Sequence, residues 1–365
     1  MMRKPRAKRC VSWNAALLIC GLAKSGCRPT QPVDGNHTTT HESPRGTANA
    51  VPPADRTNFY HVPDGDVAAL EAFIDRVNAY QAADTMELLE HERKAPQALL
   101  AAARKIMRQE PDPNASAHQK AYVIILEHRV KGIDLADDDE RHAIDKDLLD
   151  FLRARKQSGR PLLAKHFAWA LMTANVMEEK DPDLAVTAYR QFGTLFDDHP
   201  NTEVRDMARL LLGSAERLEL PGKPMILKGT QVSGAPFDLD SLKGKVVLVD
   251  FWATWCGPCV AEHDNMKKLY ATYHDRGFEI VGVSLDVDRA KLDDYLKRKS
   301  IPWITLHEGN GKQNPAYEKY GVLTIPVMIL IGRDGNVISV AARGEGLKRL
   351  LVAQFATRSV NANGQ

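Results

Sequence analysis

The sequence of 365 residues has only five cysteines, a net charge of +2 and no long hydrophobic run. Three of the cysteines lie within the first 27 residues, so the cysteines do not make a disulfide framework that holds a fold together. The near-neutral charge gives no reason to expect a nucleic-acid partner. A zinc site is disfavoured, because no second Cys-x-x-Cys pair follows Cys259.

The most informative stretch is Val246–Cys259, which runs VVLVDFWATWCGPC. Its short, apolar first half predicts a buried strand, and its second half predicts a turn that enters a helix. Two cysteines at a helix N-terminus form a dithiol redox site, because the unpaired N–H groups there favour a thiolate. We expect Cys256 to be exposed and to act as the nucleophile, with Cys259 as the resolving thiol. Gly257 permits a tight turn, and Pro258 suits a first helical turn.

Two acids near this pair are candidates for moving the proton of Cys259. Asp250 points inward from the predicted strand, and burial raises the pKa of a carboxyl toward neutrality. Glu262 follows Cys259 by three residues and shares its helix face. The alternatives are a satisfied core acid for Asp250, a solvated helix residue for Glu262 and a structural disulfide for the cysteine pair. For His263 we expect a surface or packing role.

The segment DFWATWCGPC resembles the active site of thioredoxins, and the pattern over residues 222–355 is similar to the membrane-anchored TlpA/ResA-type thiol-disulfide oxidoreductases. The resemblance implies that Cys256 is the nucleophile and Cys259 the resolving thiol, while Asp250 is the buried acid and Glu262 an active-site glutamate. It implies that residues 324–326 form a loop whose cis-proline faces the dithiol and whose backbone docks extended substrates. The residues expected to contact substrate are Trp255, Gly257, Pro258, Thr324, Ile325 and Pro326.

One position departs from the family pattern. A kinking proline usually follows the second cysteine by five residues, and here that position is Asp264. We therefore expect a straighter active-site helix.

The N-terminal segment has the pattern of an export signal. Residues 1–9 carry five basic residues and no acid, and the apolar stretch 11–23 is too short to span a bilayer comfortably. Ser25-Gly26-Cys27 resembles the end of a lipoprotein signal, in which Cys27 is lipidated, although Lys24 departs from the usual aliphatic residue. Residues 28–65 lack a hydrophobic period and predict a disordered tether. We expect a periplasmic or other extracytoplasmic location with a membrane tether.

Two folded domains are predicted after the tether. Residues 66–220 show apolar stripes at helical spacing and predict an all-α domain, loosely similar to tetratricopeptide repeats. It either binds a protein partner or serves as a spacer. Residues 221–360 alternate strands and helices and end in a hairpin. This pattern predicts an α/β thioredoxin fold, in which helices cover both faces of a mixed sheet.

Together these features predict an exported thiol-disulfide oxidoreductase that reduces disulfides in other exported proteins. It would need an upstream electron donor, no metal and no cofactor beyond the redox-active disulfide Cys256–Cys259. One alternative is a thiol peroxidase of the peroxiredoxin-like (AhpC/TSA) branch, although Ala253 stands where that branch has threonine and Thr254 is one place off. Another is an adaptor whose helical domain binds partners while the redox domain is vestigial.

Overall fold

The computed structural model describes residues 58–309 and 314–356. The predicted signal, Cys27 and most of the predicted tether lie outside the described residues. The described chain divides into two compact units, residues 58–151 and 152–356. No helix in these ranges combines the length and apolar character needed to cross a membrane.

The first unit is helical, as the apolar stripes predict. Asp66 and Asp84 cap the first two helices through hydrogen bonds from backbone N–H groups to their side chains. The buried residues of the first helix are Leu70, Phe73, Ile74 and Val77, which follow the predicted spacing. The helices are α1 (Val67–Asn78), α2 (Thr85–Gln109), α3 (Ser116–Lys131) and α4 (Asp138–Gln157), and the division between the units falls within α4.

Three further helices open the second unit: α5 (Ala164–Lys180), α6 (Pro182–Phe196) and α7 (Thr202–Leu218). Pro182 lies in the first turn of α6, where its missing N–H has no cost, and the Asp181 side chain caps that turn. The pattern over Asp183–Leu218 predicts two antiparallel helices joined near His199 and Pro200, and the structure confirms it, because α6 and α7 pack against each other as a hairpin.

The rest of this unit is a five-stranded mixed sheet of order β5-β4-β3-β6-β7, preceded by the hairpin β1–β2. Strand β3 pairs in parallel with β4 and antiparallel with β6. The strands are β1 (Lys228–Thr230), β2 (Pro236–Asp238), β3 (Val246–Trp252), β4 (Phe278–Ser284), β5 (Ile304–Leu306), β6 (Val327–Ile331) and β7 (Val337–Ser339). The helices are α8 (Gly257–Tyr273), α9 (Arg289–Arg298), α10 (Pro315–Lys319) and α11 (Gly344–Ala356). This is a thioredoxin-like fold after a helical region, which confirms the predicted fold class.

Strand β3 is buried on both faces, and this explains its continuous apolar run. Val247 and Val249 belong to one hydrophobic core. Val246 and Leu248 belong to a second core, to which Met266 of α8 contributes. Because side chains alternate along a strand, Asp250 shares the face of Leu248 and points toward the second core.

The compact units differ from the domains predicted from sequence, because α5–α7 cluster with the sheet rather than with the preceding helices. The physical reason is close packing of α7 on α10 and the turn that follows it. Ser214 Oγ donates to the carbonyl of Gly321 over 2.9 Å, and Arg217 Nε donates to the carbonyl of Tyr320 over 3.2 Å. A Cβ at Gly213 would lie 2.6 Å from the Gly321 nitrogen, so only glycine permits this approach.

Candidate active site

The two cysteines lie where β3 turns into α8. Cys256 is the N-cap of α8, and the Cys259 N–H donates to the Cys256 sulfur over 3.2 Å. Pro258 occupies the first turn, as predicted for this residue, and α8 begins at Gly257. The helix N-terminus therefore presents its unpaired N–H groups to the sulfur of Cys256, and these groups stabilise a thiolate.

Cys256 and Cys259 form a disulfide, with their Cα atoms 5.3 Å apart. The exposed fraction is 6% for Cys256 and 1% for Cys259. The prediction of an exposed Cys256 is therefore wrong for the disulfide form. The bond ties its sulfur to the buried Cys259, and the carbonyl oxygen of Ile325 lies 3.7 Å from that sulfur.

The predicted proline loop lies against this disulfide. The Ile325–Pro326 peptide is cis, and it joins α10 to β6 beside Cys256. Thr324, Gly257 and Pro258 are exposed around the disulfide. The indole of Trp255 is 68% exposed, which is unusual for a large apolar side chain. The residues expected to contact substrate thus surround the disulfide as an accessible surface.

Asp250 is a fully buried acid without compensation. Its exposed fraction is 1%, and neither carboxyl oxygen has a hydrogen-bond partner among the described residues. No protein group among these residues satisfies Asp250, as one would for an ordinary core acid. Burial is the main cause that raises the pKa of Asp250, and the nearby Glu262 adds to the rise while Arg343 opposes it; together they bring the pKa to about 8. The carboxyl is mostly protonated at pH 7 and titrates near the pKa of a thiol.

Glu262 is held in an ion pair instead of extending into solvent. Its Oε1 accepts from Arg343 Nε over 3.0 Å, and its side chain is 16% exposed. This contact rules out the alternative of a freely solvated helix residue. Arg343 directly precedes α11, so the ion pair links the active-site helix to the last helix of the fold.

His263 is buried, which confirms the packing role expected for it. Its ring contacts Trp252 and Trp303, with centroids 4.6 and 5.7 Å away, and its Nδ1 lies 2.9 Å from the Tyr295 hydroxyl. Burial lowers the pKa of His263 to about 4, so the imidazole is neutral at pH 7. The neighbouring Asp264 is exposed, and α8 continues through it without a break.

The sequence analysis missed Asp286, which anchors the turn before the cysteines. Its carboxylate accepts from the Thr254 N–H over 3.0 Å, from the Thr254 hydroxyl over 2.5 Å and from Ser284 Oγ over 2.9 Å. Asp286 follows β4, which is parallel to β3, so the segments after the two strands leave the sheet at the same edge. An acid just after the strand that neighbours β3 was the available signal.

The site therefore combines a disulfide at a helix N-terminus, a cis-proline loop against the nucleophilic sulfur and a buried acid on the preceding strand. Within residues 58–309 and 314–356, no three His, Cys, Asp or Glu side chains are grouped closely enough to hold a metal ion. The fold and the site define a thioredoxin-like dithiol protein.

The chain is similar to the thiol-disulfide oxidoreductase ResA of Bacillus thuringiensis subsp. konkukian, with 30% identity over 136 residues, or 37% of this chain and 76% of that protein. The chain belongs to the ResA-type family of thiol-disulfide oxidoreductases, which confirms the resemblance of its sequence motifs.

Further comparisons cover the C-terminal part of the chain. The family described as Redoxin matches residues 207–348. ResA of Oceanobacillus iheyensis is 33% identical over 120 residues, or 33% of this chain and 61% of that protein. The thioredoxin domain of a thiol-disulfide oxidoreductase from Bacteroides vulgatus is 27% identical, with a TM-score of 0.35, over 36% of this chain and 96% of that domain.

Proposed function

We propose that the protein is an exported reductase of disulfide bonds in other exported proteins. The observation that carries this proposal is the Cys256–Cys259 disulfide at the N-terminus of α8, 3.7 Å from the Ile325 carbonyl oxygen. The dithiol itself is the redox centre, and an upstream donor of electrons restores it after each turnover.

The reaction begins with the reduced pair. The Cys256 thiolate attacks one sulfur of a client disulfide, and the other client sulfur leaves as a thiolate. Asp250 accepts the proton of the Cys259 thiol. The Cys259 thiolate then attacks the Cys256 sulfur, which forms the Cys256–Cys259 bond and releases the second client sulfur. Two electrons pass to the client, and the client thiolates take their protons from solvent.

Client binding relies on the accessible surface around the disulfide. An extended client segment would pair with the backbone of Ile325, whose carbonyl lies at the sulfur, and would pack on the exposed indole of Trp255. This mode suits many clients, because backbone hydrogen bonds do not depend on client sequence.

The alternative of a thiol peroxidase loses support at the position before Trp255. Thr254 carries the only hydroxyl between the end of β3 and Cys256, and that hydroxyl donates to Asp286 over 2.5 Å. This hydroxyl is bonded to the loop that follows β4, so it is not available to a peroxide at the Cys256 sulfur.

Export and the membrane tether rest on the N-terminal pattern alone, namely the basic start, the apolar stretch 11–23 and Cys27. A Cys27→Ala variant expressed in a bacterial host should leave the membrane fraction while still being exported. Continued membrane association of this variant would contradict lipidation at Cys27.

The direction of electron flow is testable by redox equilibration. The dipeptide Gly257-Pro258 between the cysteines resembles that of reducing thioredoxins, so we expect a potential near that of thioredoxin, about −270 mV. The protein would be equilibrated with glutathione buffers, and the fraction of disulfide would be measured by alkylation and mass spectrometry. A potential near about −120 mV, at the oxidising end of the range, would overturn the assignment as a reductase.

A further inference from the structure

Four buried polar atoms on β3 and α8 lack a hydrogen-bond partner in the part of the chain that the structure describes. They are the two carboxyl oxygens of Asp250, Nε1 of Trp252 and Nε2 of His263. Nε2 lies 3.9 Å from Oδ2 of Asp250, and the side chains are 3% and 1% exposed. Buried polar groups are almost always paired, so this pair of facing groups requires an explanation.

The other nitrogen of the same imidazole leads outward. Nδ1 of His263 lies 2.9 Å from the Tyr295 hydroxyl. Tyr295 lines an open groove of about 440 Å³ whose wall also includes Thr254, Lys291 and Arg298. The side chains of Asp250, His263 and Tyr295 thus form a row from the buried acid to the wall of an open surface groove, where Tyr295 itself is 5% exposed.

We propose that His263 and Tyr295 form a proton relay that connects Asp250 with solvent in this groove. The proposal rests on the proposed function, in which Asp250 accepts the proton of Cys259. His263 acts through Asp250 and is a positioning residue for proton transfer. The gap of 3.9 Å would have to close by about 1 Å for transfer, as happens in many resting sites.

The relay is needed because Asp250 begins in the wrong protonation state. Burial raises the pKa of Asp250 to about 8, so at pH 7 the carboxyl must lose a proton before it can act as a base. Burial lowers the pKa of His263 to about 4 and raises the pKa of Tyr295, so neither side chain readily holds a charge. The proton must therefore move through both groups in one concerted shift.

Three proton transfers make up this shift. The Asp250 proton passes to Nε2 of His263, Nδ1 passes its proton to the Tyr295 oxygen, and the Tyr295 hydroxyl releases its proton to solvent. The Asp250 carboxylate then accepts the Cys259 proton, and the resolving step proceeds. When an electron donor later reduces the Cys256–Cys259 disulfide, the same shift in reverse returns one proton and restores the starting tautomer of His263.

Burial is the main cause of each pKa shift in this row, and charged side chains around it modify the shifts. Near His263 the two lysines lower the pKa of the imidazole further, and Asp264 opposes them. The groups that act on each member are Glu262 and Arg343 for Asp250, Lys267, Asp264 and Lys299 for His263, and Asp264 and Arg298 for Tyr295.

The test follows the resolving step in a single turnover. Reduced protein is mixed with the aryl disulfide 5,5′-dithiobis(2-nitrobenzoate), which releases one coloured thiolate when Cys256 attacks and a second when Cys259 resolves the adduct. His263→Phe keeps an aromatic ring between Trp252 and Trp303, and Tyr295→Phe removes only the hydroxyl. Both variants should slow the second phase about tenfold at pH 7, while the first phase is unchanged.

The pH profile separates a relay from a packing effect. Above pH 8 Asp250 is already ionised, so the second-phase rates of both variants should approach the wild-type rate. The double variant should be no slower than either single variant, because both interrupt one path. Tyr270→Phe is the matched control. Tyr270 lies on α8, the helix of His263, but outside the row, and its hydroxyl donates to Glu279 over 3.0 Å. Removing this hydroxyl should leave the second phase unchanged.

The Asp250→Asn variant distinguishes failure of the relay from failure of Asp250 as the proton acceptor. If Asp250→Asn slows the second phase while both relay variants match the wild-type rate at pH 7, the relay is overturned and the proposed function stands. If Asp250→Asn itself resolves as fast as wild type, the role of Asp250 as proton acceptor fails. Equal slowing of the relay variants at pH 7 and pH 9 would indicate a packing defect and would also overturn the relay.

Discussion

Reduction of a protein disulfide such as insulin by the Cys259→Ser variant is expected to fall by about a thousandfold or more under multiple turnover. At the same time the variant should accumulate as a covalent complex with its substrate through Cys256. The physical reason is that Cys256 can still attack, since it keeps its position at the N-terminus of α8. The serine hydroxyl cannot displace the client sulfur, so the mixed disulfide persists.

The measurement is gel electrophoresis without reductant, followed by mass spectrometry of the linked peptide. Cys256→Ser is the matched control, because it removes the attacking sulfur and should lose both the activity and the covalent complex. A complex linked through Cys259 in that control would reverse the roles assigned to the two cysteines.

The second large effect concerns stability, and it depends on pH. The folded state raises the pKa of Asp250 from its ordinary value of 3.8 to about 8. Because the folded pKa lies above the unfolded one, the stability associated with the protonated carboxyl is present below about pH 4 and is lost as pH rises through 8. The full difference corresponds to about 6 kcal/mol above pH 8 and is an upper bound. Asp250→Asn replaces the ionisable carboxyl with a neutral amide, so the variant does not lose this stability as pH rises.

We therefore expect the Asp250→Asn variant to exceed the wild-type protein in free energy of unfolding by several kcal/mol more at pH 9 than at pH 5. Urea unfolding of the disulfide form at both pH values measures this difference. Asp264→Asn changes an exposed carboxyl on α8 and should alter stability by less than about 0.5 kcal/mol. Parallel stability curves for Asp250→Asn and wild type between pH 5 and 9 would contradict a buried, mostly neutral Asp250.

The central strands were predictable because their local signals agree. The short apolar runs predict strands at Phe278–Ser284 and Val327–Ile331, and the structure confirms both ranges. The apolar residues of Met225–Leu227 likewise predict a strand, but this prediction is wrong, because the observed strand is Lys228–Thr230. Met225 and Leu227 are apolar because they fill the core, while pairing with the next strand begins one residue later. Apolar character indicates burial, but it does not locate the hydrogen-bonded ladder.

The candidate site was predictable where one short motif carries it. Cys256, Cys259 and Asp250 lie within ten residues of each other. Asp286, Tyr295 and Arg343 come from other elements, and only the tertiary fold brings them to Thr254, His263 and Glu262. The position of Asp286 just after the strand next to β3 was a usable signal, whereas the local sequence around Tyr295 and Arg343 contains no feature that sets them apart from ordinary surface aromatics and bases.

The extent of the helical region could not be derived from composition. The pattern changes from helical to alternating near Pro221, and the sequence analysis placed a domain boundary there. Gly213 and Ser214 of α7 instead pack directly on Gly321, five residues before the cis-proline. A shortened protein that begins after Leu220 would lack α7 and would therefore expose the surface of α10 on which α7 packs. A shortened protein that tests the redox centre should begin before α5, at the division between the compact units.

The exchange of two electrons between the Cys256–Cys259 pair and the disulfides of other proteins can be followed in one stoichiometric reaction. Fully reduced protein is mixed with an equal amount of an oxidised disulfide protein, quenched with acid, alkylated and mapped by mass spectrometry. We expect Cys256 and Cys259 to become protected from alkylation as one disulfide, while one disulfide of the other protein becomes two alkylated cysteines. Alkylation of Cys256 and Cys259, or a second protein that stays oxidised, would show that the pair does not reduce protein disulfides.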